Sequence, residues 1–126
     1  MPFARISVPA GKPDEFRRIV SDVVYESMLP TLKAPAGDRF QVVTEHSPND
    51  LVLDPEYLGI SRTKDAIIVQ LTMNEGRTVE QKKDFFKAVA DGLHQRLKLR
   101  REDVFINLVE VKKENWSFGN GVAQYA

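Results

Sequence analysis

Hydrophobic residues recur along this chain in two copies of one pattern, a β-branched run followed by a longer run with helical spacing. The β-branched runs, Phe3–Val8 and Ala66–Met73, predict two strands. A glycine follows each run, Gly11 after the first and Gly76 after the second, and predicts a turn. The pattern therefore predicts alternating strands and helices.

Two helices are predicted, each with one apolar face. Pro13 suits the first position of the first helix, and Pro30 should end or kink it. Thr78 and Gln81 have the spacing of a capping box, which predicts where the second helix begins. The apolar faces consist of Phe16, Ile19, Val20, Val23, Val24 and Met28 in the first helix and of Phe85, Phe86, Val89, Leu93 and Leu97 in the second.

A shift of 65 residues, without gaps, brings the two copies into register. Two more strand-like segments, Phe40–Glu45 and Val104–Val111, then become equivalent and close the copies. Because the matches fall at turns and apolar positions, they favour an internal duplication. The matched pairs are Gly11 with Gly76, Lys12 with Arg77, Val24 with Val89, Leu32 with Leu97, Lys33 with Lys98, Asp38 with Asp103, Phe40 with Phe105 and Glu45 with Glu110.

Each copy is predicted to form strand, helix, strand, and one crossover helix makes its two strands parallel. We therefore predict an α/β fold in which duplicated β-α-β units form a four-stranded sheet with both helices on one face. Such a sheet needs cover on its other face, and the apolar residues Phe3, Ile6 and Val8 suggest that neighbouring subunits supply it.

The length of 126 residues predicts a single domain. We expect the first unit at about 2–46, an irregular connection at about 47–64, the second unit at about 65–111 and a tail at 112–126.

Composition excludes several classes of function. Eighteen basic and eighteen acidic residues cancel, so no electrostatic argument favours nucleic acid or an anionic membrane. The absence of cysteine excludes disulfides, a thiol nucleophile and a Cys-based zinc site. His46 and His94 lack partners at ligand spacing, so no metal is expected. Without a membrane-length apolar run, a cytoplasmic protein is expected.

The pair Met1-Pro2 carries the most specific candidate chemistry. If Met1 is removed, Pro2 becomes a secondary amine at the start of a predicted strand. An α-amino group titrates at about 7.7–8.0, so it can act as an acid or a base near neutral pH. Burial in an apolar pocket or nearby cations would lower that pKa.

Four motifs stand out: Met1-Pro2, the segment Asp-Arg-Phe-Gln at 38–41, the stretch Gly-Arg-Thr-Val-Glu-Gln-Lys at 76–82 and the tail Trp-Ser-Phe-Gly-Asn-Gly at 116–121. Together they resemble motifs of the tautomerase superfamily, whose proteins use an amino-terminal proline on a duplicated β-α-β scaffold. The third is similar to the turn after the catalytic strand in 4-oxalocrotonate tautomerase. The second and fourth are similar to segments of malonate semialdehyde decarboxylase, the branch that the chain most resembles.

The resemblance covers nearly the whole chain and implies a homotrimer with one proline site per chain, acting on a small-molecule carboxylate without a cofactor. It implies that Pro2 is the catalytic proline and that Asp38 works with its protonated amine. It also implies that Arg77 holds the substrate carboxylate. Trp116 and Phe118 would suit an apolar wall of the pocket, although burial at a subunit interface explains them equally well.

One departure from the decarboxylase pattern puts efficient decarboxylation of malonate semialdehyde in doubt. The decarboxylase has an Arg-Pro-Arg run before its second helix, whereas this chain has Glu75-Gly76-Arg77. One carboxylate-binding arginine is therefore missing, and a negative charge lies nearby.

Two chemistries remain open, depending on the charge of Pro2. A neutral amine could transfer a proton between the enol and keto forms of a 2-oxo acid, with Arg77 as the cation for the carboxylate. A cationic amine, which Asp38 would favour, could assist decarboxylation or hydration instead. A non-catalytic trimeric binding or signalling protein is the alternative from another class. We predict the tautomerase.

Several site assignments also have structural alternatives. Arg77 could be a solvated turn residue, and Asp38, which recurs as Asp103, could serve only the turn before a strand. Arg39 could be a second cation or only a surface partner of Asp38, and we interpret it as the surface partner. Lys12 could reach the site of a neighbouring subunit, while Tyr57 could line the site or only cover the core.

Overall fold

Two long helices and six strands make up most of the protein. The computed structural model describes residues 2–126, so the expected removal of Met1 lies outside the described residues. The elements, in chain order, are β1 (Phe3–Pro9), α1 (Asp14–Leu32), β2 (Phe40–His46), β3 (Glu56–Tyr57), β4 (Ile60–Ser61), β5 (Ile67–Asn74), α2 (Val79–Leu97) and β6 (Val104–Val111).

The four long strands form one mixed sheet in the order β2-β1-β5-β6. Within each unit the two strands are parallel, as the crossover helices predict, whereas the central pair β1·β5 is antiparallel. In that pair Arg5 lies directly opposite Gln70, its own equivalent under the 65-residue shift. The two units are therefore related by an approximate twofold axis through the middle of the sheet.

Corresponding details recur in both units and confirm the duplicated fold. The bounds of α1 and α2 differ by 65 residues at both ends. Each helix ends at a left-handed lysine, Lys33 with φ 57° and Lys98 with φ 59°. An ion pair between helix and outer strand also recurs, Arg17–Glu45 at 2.8 Å and Lys82–Glu110 at 3.0 Å.

The helix ends follow the local signals with one exception. Thr78 and Gln81 form the predicted capping box, each side chain bonding the other residue's main-chain N–H. Pro13 was predicted at the first position of α1 and instead lies at its N-cap, one position earlier in the helix. Pro30 does not end α1, which continues to Leu32. Proline has no N–H to bond the carbonyl of Glu26, one turn earlier. Both residues are exposed, so water can bond that carbonyl instead.

The hydrophobic core lies between the helices and one face of the sheet. Both predicted helix faces contribute, although Phe86 remains 37% exposed. Ile6 and Val8 also belong to this core, so the prediction that they face a neighbouring subunit is wrong. Strand alternation places only Phe3, of those three residues, on the opposite face.

That opposite face, which we call the open face, carries exposed apolar side chains from both outer strands. Phe40 is 42%, Val42 40%, Phe105 40% and Val109 37% exposed. Neither long helix covers them, since both pack on the other side, and they are only partly shielded, Phe40 by Phe118 and Phe105 by Arg62.

The connection between the units is less irregular than predicted. It contains a small hairpin of β3 and β4, whose turn residues Leu58 and Gly59 both have positive φ angles, 52° and 77°. Tyr57 lies in this hairpin and is exposed, so it does not cover the core. Neither long helix combines the length and apolarity that a membrane span requires.

Candidate functional site

Pro2 is buried and lies at one end of the sheet. It immediately precedes β1, whose first residue, Phe3, pairs with Phe40 and Thr72. The first residue of β2 and the last residues of β5 and β6 therefore lie at the same end. We call this the proline end. The topology brings to it the segments that contain Asp38, Arg77 and the tail after β6.

Arg77 is fixed at the proline end by main-chain carbonyls. Its Nε donates to the carbonyl oxygen of Leu32 at 3.1 Å, and its Nη1 donates to that of Asn74 at 3.2 Å. The side chain thus joins the end of α1 to the end of β5 and is not a solvated turn residue. A guanidinium has five N–H donors, so three remain for a ligand.

Gly76 supplies the turn that makes this position possible. Its φ of 118° is strained for any residue with a side chain, and nothing lies within 4 Å of an added Cβ. Backbone conformation, and not crowding, therefore requires glycine between β5 and Arg77.

Asn74 connects the arginine to the tail. While its carbonyl accepts from Arg77, its side-chain Oδ1 accepts from Trp116 Nε1 at 2.6 Å. The sequence reasoning missed this residue. Its place directly after a predicted strand, two residues before Gly76, was the signal that could have found it.

An aromatic cluster extends from Trp116 across the tail. The rings of Trp116 and Phe118 stack with centroids 5.5 Å apart and planes 13° apart. Phe118 also lies 6.1 Å from the ring of Phe40 and 5.2 Å from that of Tyr125. The two predicted wall residues are thus brought together, and Phe40 and Tyr125 join them. The cluster gives the proline end an apolar side.

Asp38 and its equivalent Asp103 differ sharply. Asp103 is 1% exposed and accepts hydrogen bonds from Thr63, from the N–H at 2.7 Å and from the hydroxyl at 2.6 Å. Asp38 is only half-buried, and within residues 2–126 its carboxylate accepts no hydrogen bond. The carboxylate of Asp38 therefore does not stabilise its turn in the way that Asp103 does.

Arg39 does not pair with Asp38, so that interpretation is wrong. Its guanidinium donates to Asp22 at 2.6 Å and lies over the ring of Tyr25, 4.9 Å from the centroid. Both partners belong to α1, so Arg39 holds the start of β2 against the helix. Lys12 is likewise engaged in an ion pair within the chain: its Nζ binds Asp65 at 2.8 Å at the other end of the sheet.

The arrangement at the proline end suits acid–base chemistry on a small anion. It combines a buried proline, a carboxylate that accepts no hydrogen bond from residues 2–126, an anchored guanidinium and an apolar side. Among residues 2–126, no group of three or more His, Asp or Glu is placed to hold a metal ion.

Known proteins match the chain along its length. Two family models, both described as tautomerase enzyme, match residues 38–119 and 2–60. YusQ, a probable tautomerase of Bacillus subtilis (strain 168), is 37% identical over 124 residues, 98% of this chain and 98% of its own length. YrdN of the same organism, also a probable tautomerase, is 29% identical over 125 residues, 99% and 96% of the two chains.

Solved structures share the fold. FG41 malonate semialdehyde decarboxylase, inhibited by 3-bromopropiolate, has a TM-score of 0.90 and 35% identity, over 98% of this chain and 93% of its own. A fused 4-OT symmetric trimer has a TM-score of 0.79 at 18% identity, over 98% and 97% of the two chains, and is similar in fold alone.

Proposed function

The chain belongs to the tautomerase family, and from that premise we propose that it is a cofactor-independent isomerase of small 2-oxo acids. Pro2, freed by removal of Met1, transfers the proton between the enol and keto forms. The observation that carries the proposal is the anchored guanidinium of Arg77 at the same end of the sheet as the buried Pro2.

The proposed step moves a proton from the enol oxygen of the substrate to a carbon atom by way of Pro2. The neutral Pro2 nitrogen accepts the proton of the enol hydroxyl, and the resulting ammonium returns a proton to the neighbouring carbon. The substrate carboxylate binds the N–H donors of Arg77 that Leu32 and Asn74 do not use. Trp116 and Phe118 exclude water from one side, which strengthens these charge interactions.

A malonate semialdehyde decarboxylase-like lyase or hydratase is the second candidate. The 35% identity to FG41 malonate semialdehyde decarboxylase favours it, as does the carboxylate of Asp38, which would stabilise a cationic Pro2. Glu75, which stands where the decarboxylase pattern has its other arginine, opposes it. A non-catalytic binding protein is the outcome if neither chemistry occurs.

We further propose that the protein is a homotrimer. The apolar side chains of the open face support self-association, because a stable monomer rarely exposes such a surface. A trimer is the assembly of the fused 4-OT protein that shares this fold.

The Pro2→Ala variant tests the proposed activity. We expect the wild-type protein to convert phenylenolpyruvate to its keto form, and the variant to do so at least about a hundredfold more slowly, the scale of one acid–base group. The rate is followed by ultraviolet absorbance, after intact mass has established that Met1 is absent. Arg18→Ala, a change at an exposed position of α1, is the matched control and should leave the rate unchanged.

The charge of Pro2 separates the two chemistries. Titration of a ¹⁵N-labelled proline nitrogen by NMR should give a pKa below neutrality for the isomerase. A pKa well above neutrality, together with decarboxylation of malonate semialdehyde, would establish the lyase instead. Equal rates for wild type and Pro2→Ala would contradict both.

A further inference from the structure

A cavity of about 460 Å³ lies at the end of the sheet opposite Pro2. It is bounded where β1 and β2 end and where β5 begins, and its size is within the range of small-molecule sites. Its lining includes Lys12, Leu51, Leu53, Lys64, Asp65 and Ala66.

The 65-residue shift relates this cavity to the proline end. Lys12 lies where the second unit has Arg77, and Pro9 lies where it has Asn74. Leu51 and Leu53 correspond to Trp116 and Phe118, while Ala66 adjoins Ile67, the equivalent of Pro2. The cavity is therefore the twofold counterpart of the candidate active site, with a cation and two apolar wall residues retained.

One wall of the cavity is fixed by a series of hydrogen bonds that starts at a buried carboxylate. Thr63 donates its N–H and its hydroxyl to Asp103, a carboxylate only 1% exposed, and Thr63 Oγ1 in turn accepts from the N–H of Asp65 at 3.2 Å. Asp65 then accepts from Lys12 Nζ at 2.8 Å. Because each contact holds the next, Lys12 is positioned before any ligand arrives.

The charges around the cavity favour an anion. Two lysines, Lys12 and Lys64, and one carboxylate, Asp65, line the cavity. Asp65 accepts from only one of the three N–H donors of Lys12. The remaining donors can bind a carboxylate as charge-assisted hydrogen bonds. Chemistry like that proposed for Pro2 is excluded here, because the nitrogen of Ile67 lies within a peptide bond and has no basic lone pair.

We propose that this cavity is a second ligand site, which binds a small carboxylate through Lys12 and does not transform it. The proposal does not depend on the activity of Pro2. The two ends of the sheet would then differ in function, with catalysis at the proline end and binding alone at the cavity.

NMR titration of the full-length ¹⁵N-labelled protein tests it, with malonate as the probe. The amide signals of Gly11, Lys12 and Ala66 should shift and saturate. They should do so equally in Arg77→Gln, a variant that weakens binding only at the proline end. Malonamide, which has the same shape without the charges, should not shift them. Shifts confined to Gly76 and its neighbours at the proline end would overturn the proposal.

A paired substitution identifies Lys12 as the ligand-binding cation. The double variant Lys12→Met with Asp65→Asn removes the cation and its partner together, so no unpaired carboxylate is left to repel the probe. It should raise the Kd for malonate at the cavity by about tenfold or more. Lys83→Met, which removes an exposed lysine on α2, should leave the Kd unchanged. Equal Kd values for the double variant and wild type would also overturn the proposal.

Discussion

Asn74 is the residue on which the geometry of the proline end depends most. Its carbonyl holds Arg77 and its side chain holds Trp116, so one strand end positions both a cation and an aromatic wall. The two contacts use different parts of the residue. A side-chain substitution therefore releases the tryptophan while leaving the main-chain contact to the arginine.

We predict that Asn74→Ala raises the KM for the enol substrate about fivefold with little change in kcat, because one hydrogen bond of about 1 kcal/mol is lost. Trp116 is the sole tryptophan, so its fluorescence reports the change directly, and its emission should move to longer wavelength.

Gln70→Ala is the matched control for that experiment. Gln70 lies on the same strand and the same face as Asn74, but away from the proline end. The substitution removes its 3.0 Å hydrogen bond to Asn107 on β6. It should alter neither KM nor fluorescence. A fall in kcat at unchanged KM for Asn74→Ala would contradict the role proposed for Asn74.

At the scale of single residues, the sequence predicted which segments meet but not which contacts form. The positions of Pro2, Arg77 and Trp116 follow from strand order, and the repeat made that order predictable. The contrast between Asp38 and Asp103 was not predictable, because it depends on Thr63, which lies 40 residues from Asp103. Identical residues at equivalent positions gave no indication of that difference.

The two helices pack closely at a glycine. A Cβ added at Gly92 on α2 would lie 2.8 Å from Cγ1 of Val23 on α1. Val23 is buried and its β-branched side chain has few alternative rotamers, so it cannot easily move aside. The close approach therefore requires glycine at a position where helix propensity favours alanine.

We predict that Gly92→Ala lowers the free energy of unfolding by about 1 kcal/mol, because overpacking outweighs the gain in helix propensity. In a Val23→Ala background the same substitution should raise it, by up to about 1 kcal/mol. Urea denaturation of the four proteins measures both effects. Stabilisation by Gly92→Ala in both backgrounds would show that the helices are not in tight contact there.

At the scale of elements, prediction was accurate where local chemistry decides. The capping box predicted the start of α2, and the two equivalent helices have the same length of 19 residues. Of the two expectations for Pro30, that it ends or kinks α1, the first is wrong, because the cost of proline in a helix depends on solvent exposure of the unbonded carbonyl. That exposure depends on the packed structure, which residue spacing does not describe.

The whole molecule has one covered and one open face, and the open face is where we expect the subunits to meet. Val109 lies on β6 within that face, opposite Thr72 on β5. A carboxylate buried there without a partner would be strongly unfavourable. We therefore expect a charged side chain on the open face to prevent assembly.

We predict that wild-type protein sediments as a trimer and that Val109→Glu sediments as a monomer. Val79→Glu is the control, since Val79 is more exposed, at 63%, and lies in the first turn of α2, where an acidic side chain is favourable. Analytical ultracentrifugation distinguishes the outcomes. A monomeric wild type, or a trimeric Val109→Glu, would contradict the assembly.

The strand pair in which Arg5 faces Gln70 has a consequence for evolution. When two equal units are joined head to tail, symmetry is kept in the fold but lost in the covalent chain, which has one amino terminus. The second unit therefore has no terminal amine, so nothing requires proline at its position equivalent to Pro2. That position is Ile67, whereas Lys12 of the first unit still carries a cation like its equivalent Arg77.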